Sequence, residues 1–138
     1  MKLVIALQLA GLMHLGLIAA GVMMPRAVKL RSHVAVLPVF IRRLFWVYYS
    51  FIALILVAFG SVSFFLAPEL ASGTALARAV CGFLAAFWTT RLFVAAFVFD
   101  VRPYLASVLW KIGYHATNVA FALLAPIYGW GAFRGGVL

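Results

Sequence analysis

Residues 79–99 read AVCGFLAAFWTTRLFVAAFVF, an apolar run whose only charge is Arg91. A guanidinium in hydrocarbon costs roughly 2.5 to 3.5 kcal/mol, so it is tolerated mainly where it faces sister helices or water. An arginine here therefore implies an interior. The flanks on either side of Arg91 are each too short to cross a bilayer alone, so the segment either spans with the arginine inside it or folds back as a re-entrant hairpin.

Three further apolar runs surround this one, at about 3–24, 44–66 and 104–128, with the central segment extending over about 75–99. Each is long enough to cross a hydrocarbon core at 1.5 Å per residue. With 68% hydrophobic and 9% charged residues, the chain lies far from soluble composition, where roughly a quarter of residues carry charge. The expected fold is all-α, a single integral membrane domain over 1–138 built as a four-helix bundle. The opening run also resembles a cleaved signal peptide, with Lys2 as its basic start. It exceeds the usual apolar length of such leaders, and its positive cluster follows it, which favours a retained span.

The net charge of +9 would suit nucleic acid in a soluble protein, but none of the motifs of that class is present. The basic residues instead flank apolar runs. Arg26, Lys29, Arg31, Arg42 and Arg43 form a membrane-surface set suited to anionic head groups, each contributing about 1 kcal/mol near such a surface. Four spans put this set, with Arg102 and Lys111, on one side, and leave Lys2, Arg78 and Arg134 on the other. The positive-inside rule then makes the first side cytoplasmic and both termini non-cytoplasmic, in a multi-pass protein of the cell inner membrane. Phe45, Trp46, Tyr48 and Tyr49 crowd the start of the second span, as expected of an interfacial aromatic belt. Residues 129–136 read as a loose tail.

Counted from span ends at Met23, Phe99 and Ala106, His14, Arg91 and His115 fall at similar depths of roughly 12 to 14 Å. With Thr90 and Asn118 they make an expected intramembrane polar cluster. Lys111, His115, Asn118 and Ala122 recur at helical spacing, and lipid would penalise that stripe, so it is expected to face the bundle. Gly11 beside His14 would let a neighbouring backbone approach.

Three functions compete for this layer. The first is structural: cross-helix hydrogen bonds that fix neighbours in a non-catalytic accessory or assembly protein, partnered with other membrane subunits or with copies of itself. The second is electron transfer, with His14 and His115 as paired axial ligands of a b-type haem among the 13 phenylalanines and basic groups for its propionates. The third is anion or proton transport along Arg91, His115 and Lys111 in an oligomer. Catalysis has little to stand on: Glu69 and Asp100, the only carboxylates, fall on opposite sides, and no nucleophile elbow, metal motif or phosphate loop is present. An interfacial enzyme would draw on His33, Asp100 and Arg102 from the cytoplasmic loops. Cys81, the single cysteine, excludes an intramolecular disulfide and reads as a packing residue.

Sidedness is directly measurable. In a Cys81→Ala background, Ser32→Cys should be labelled by an impermeant maleimide only after the cytoplasmic face is opened. Ser72→Cys should be labelled in intact spheroplasts, and the reverse pattern would invert the topology.

Overall fold

The computed structural model describes residues 1–134. The described residues are helical, without strands: α1 (Lys2–Ala27), α2 (Leu30–Ala35), α3 (Val39–Phe65), α4 (Ala67–Leu70), α5 (Ala75–Phe97) and α6 (Val108–Arg134), with a 3-10 turn at Arg102–Tyr104. Four of them, α1, α3, α5 and α6, are long and apolar enough to cross a membrane. They alternate in direction, so residues 26–43 gather with residues 98–111 at one end, the basic end. The third run is one continuous helix through Arg91, which removes the re-entrant alternative.

The ends follow local chemistry. Lys29 adopts the left-handed region at φ 50°, unfavourable for an L-residue by roughly 1–2 kcal/mol, and thereby stops α1 and turns the chain into α2. Pro38 precedes α3, where a fixed φ and a missing N–H suit a helix start. Arg42 donates to Ala35 O at 3.0 Å, occupying a carbonyl that the end of α2 leaves without a helical donor. Thr74 caps α5, its hydroxyl accepting from Ala77 N at 3.2 Å. Ser107 accepts from Trp110 N at 3.4 Å, so α6 starts at Val108, four residues later than the expected span. Pro103 lies in the preceding 3-10 turn. At its other end α6 runs through Pro126 to Arg134, so most of the expected tail is helix; 135 and 136 lie outside the described residues.

In hydrocarbon every backbone polar group needs an internal partner. Pro25 sits inside α1 and has no N–H, which leaves the Gly21 carbonyl, four residues earlier, without its helical donor. The Tyr49 hydroxyl of α3 donates to that oxygen. A proline-made vacancy thus becomes an α1–α3 tie. Arg78 of α5 acts similarly near the other end, donating to Ala132 O at 2.9 Å in the last turn of α6, where carbonyls lack helical donors.

α1 packs on α3 and α6, and α5 packs on α6. α1 buries Leu3, Leu7, Ala10, Gly11, His14 and Leu17, while α3 buries only Gly60 and Ser63. α3 is therefore the outer helix, its remaining faces apolar and open.

Loss of the tie is testable by thermal unfolding in detergent. Tyr49→Phe should cost about 1 kcal/mol, the worth of one hydrogen bond. In a Pro25→Ala background, where the new N–H serves Gly21, the same substitution should cost clearly less; equal costs would disprove the coupling.

Candidate functional site

Two regions hold polar groups at membrane depth, one closed and one open. The closed one surrounds His14. Its imidazole is fully buried, and its Nδ1 donates to Ala10 O at 2.7 Å, one turn back along α1. The ring meets Trp88 of α5 edge-on at 5.2 Å between centroids, and Phe59 of α3 and Tyr128 of α6 at 6.4 Å each. Trp88 in turn stacks on Phe121 at 5.4 Å. One side chain on α1 thus touches rings from all three other spans.

Backbone proximity permits this arrangement. A Cβ added at Gly60 would lie 2.9 Å from His14 Cβ, and one at Gly11 would lie 2.9 Å from Gly60 O and 2.8 Å from Phe64 Cβ. Only hydrogen fits at that crossing, and small residues let membrane helices approach in this way. Ser63, one turn beyond Gly60, shares a 2.5 Å hydrogen bond with the Tyr128 hydroxyl, tying α3 to α6. His14 Nε2 and Trp88 Nε1 are buried without partners among the described residues. With Nδ1–H donating, a neutral His14 presents Nε2 as an acceptor, complementary to the indole donor beside it.

The expected polar cluster does not assemble. Thr90, Arg91 and His115 are exposed, Asn118 is half-buried, and His14 alone of the five lies in the core. The helix ends explain the error in depth. α1 continues to Ala27 and α6 starts at Val108, so His14 stands on the order of 20 Å from the basic end, against roughly 10 Å for Arg91 and His115. The facing of the stripe is corrected as well. α6 buries Phe121, Leu124, Tyr128 and Gly131, and at 100° per residue Lys111, His115, Asn118 and Ala122 lie roughly 100 to 160° around the helix from the middle of that seam.

The haem reading requires two imidazoles facing each other across one iron. His14 lies beside Tyr128, and His115 lies thirteen residues back along α6, on the order of 20 Å by helical rise. Its nearest aromatic partner is Tyr114, at 5.4 Å. The two histidines do not fit a shared macrocycle.

The open region is a cleft of about 640 Å³ at the basic end, between the end of α5, the following loop and the start of α6. Asp100, Arg102, Lys111, Tyr114 and His115 supply its polar lining. Asp100 pairs loosely with Arg102 at 3.6 Å. The guanidinium of Arg91 lies 5.9 Å from the ring of Phe99, which also lines the cleft, and 5.3 Å from that of Phe121. The surface set is separate: Arg26, Lys29, Arg31 and Arg43 are exposed and Arg42 half-buried around α2 and the start of α3.

Trp88, Tyr128, Gly60 and Ser63 carry the closed centre without standing out in the sequence. Gly60 and Ser63 do leave a signal, two small residues one turn apart in a helix otherwise rich in large apolar side chains. The architecture defines a multi-pass α-helical membrane protein. Comparison with protein families, characterised proteins and solved structures finds no match.

Gly60→Val should destabilise the bundle by about 1–3 kcal/mol through overpacking against His14. Gly16→Ala, where an added Cβ meets nothing within 4 Å, should be neutral or slightly stabilising. Denaturant titration in mixed micelles distinguishes the two.

Proposed function

We propose that the chain is a non-catalytic accessory or assembly component of a larger membrane complex, resident in the cell inner membrane with both termini on the non-cytoplasmic side. The observation that supports this most is the closure of the centre. His14 is enclosed by rings from three other helices, and three further polar contacts join one helix to another: Tyr49 to Gly21, Ser63 to Tyr128, and Arg78 to Ala132. Polar side chains used this way add little stability, on average about 0.6 kcal/mol each in a membrane, yet they specify which helices are neighbours. The product is a rigid platform.

That platform leaves one helix largely uncommitted. α3 exposes Val47, Phe51, Ile52, Leu54, Ile55 and Val57 along its middle, a surface broad enough for another subunit's span or a second copy of this chain. The basic residues of α2 and of the start of α3 would set this face in register with an anionic cytoplasmic leaflet.

A photo-crosslinking side chain at Ile52 or Ile55, activated in native membranes, should yield protein adducts of discrete mass. Adducts confined to lipid at both positions would overturn the proposal.

A further inference from the structure

The basic charges of this protein are not all engaged alike. Arg42 and Arg78 donate to backbone carbonyls, and Arg102 pairs with Asp100. Arg91 and Lys111, like Arg26, Lys29, Arg31 and Arg43 of the surface set, enter no side-chain hydrogen bond or ion pair among the described residues. Arg91 and Lys111 belong to the same end of the bundle. Arg91 leaves α5 six residues before its end, on the order of 9 Å inside, and its guanidinium reaches over Phe99, two residues beyond that end. It lies closer still to the buried ring of Phe121, at 5.3 Å, so Arg91, itself exposed, stands between the core seam and the basic end. Lys111 and His115, one turn apart on α6, line the cleft into which Phe99 also faces.

Charge and wall together define what fits. Arg102 and Lys111 line the cleft against the single Asp100, and Arg91 stands at its margin beside the wall residue Phe99, so the site is net positive and the ligand is an anion. Guanidinium and ammonium are the groups that take phosphate oxygens, the first as a planar fork and the second as a point charge. Ala96, Phe97, Val98, Phe99, Val101 and Leu105 complete the lining, and Phe97, Val98, Phe99, Val108 and Leu109 are exposed around it, an apolar surface that a water-borne anion would not use. An acyl chain would.

We propose that this cleft binds the phosphate of an anionic phospholipid, with Arg91 and Lys111 on the headgroup and the phenylalanines at the end of α5 against its acyl chains. The site differs from the diffuse basic surface of α2, and it stands whether or not the chain serves in a larger complex.

Native mass spectrometry of the full chain, released from micelles doped with equal phosphatidylglycerol and phosphatidylcholine, tests it. One phosphatidylglycerol should be retained preferentially. Arg91→Gln and Lys111→Gln should each weaken retention roughly tenfold, as for loss of one charge-assisted contact. Lys111→Arg should keep it, and Arg43→Gln, on the separate surface set, should leave it unchanged. Melting temperature provides a second readout, rising with phosphatidylglycerol in the parent and in Lys111→Arg but not in Lys111→Gln. Equal retention of both lipids, or an Arg43→Gln loss as large as that of Lys111→Gln, would overturn the proposal. Displacement of the lipid by millimolar inorganic phosphate would also overturn it, by making the site one for free anions.

Discussion

The close crossing of α1 and α3 at Gly11 and Gly60 is the constraint on which the rest of the bundle depends. Hydrocarbon gives helices no hydrophobic reason to associate, because lipid tails are as apolar as leucine, so contact distance decides which pairs hold. At this crossing an added Cβ at either glycine would meet atoms at 2.8 or 2.9 Å. The approach brings the α3 backbone onto His14, and Trp88 and Tyr128 close around the imidazole. Were the helices separated by a methyl group's width, His14 would lose its apolar enclosure and Ser63 its reach to Tyr128.

The same logic of internal satisfaction explains why Pro25 is tolerated within α1. Pro25 removes a donor in α1, and Tyr49 replaces it from another helix. The aromatic crowding at the start of the second span looked like an interfacial belt, and that reading is incomplete: Tyr49 is half-buried and committed to a carbonyl, whereas Tyr48 beside it is exposed. Two adjacent residues of one type serve different ends because successive positions on a helix point 100° apart.

Much of the architecture was legible from composition and run length, since four apolar stretches long enough to span leave few alternatives to four helices. The interior was only partly legible. His14 and Gly11 share a face by spacing alone, and both are buried. The facing of α6 was not legible, because its polar stripe suggested an inward side while large apolar residues, Phe121, Leu124 and Tyr128, occupy the seam. A polar stripe marks the inside only when it lies at mid-depth. Near a helix end it can instead lie away from the seam and reach an aqueous boundary, and the depth of this one depended on where α6 begins, which Ser107 and the turn at Pro103 decide.

Arg91 shows the same balance in one residue. At 100° per residue it stands about 60° from Trp88, at the edge of the buried stripe formed by Cys81, Leu84, Trp88 and Ala95. Burying the guanidinium fully would leave it with no carboxylate in reach, since Asp100 is paired with Arg102 and Glu69 belongs to α4 at the opposite end. A buried charge left unpaired loses several kcal/mol of solvation. Remaining exposed costs only side-chain freedom, about 2 kcal/mol at most for arginine, and keeps the faces of Phe99 and Phe121, each contributing about 0.5–1 kcal/mol. The exposed position is the cheaper one, and it leaves the cation at the margin of the bundle, where an anionic group can approach it.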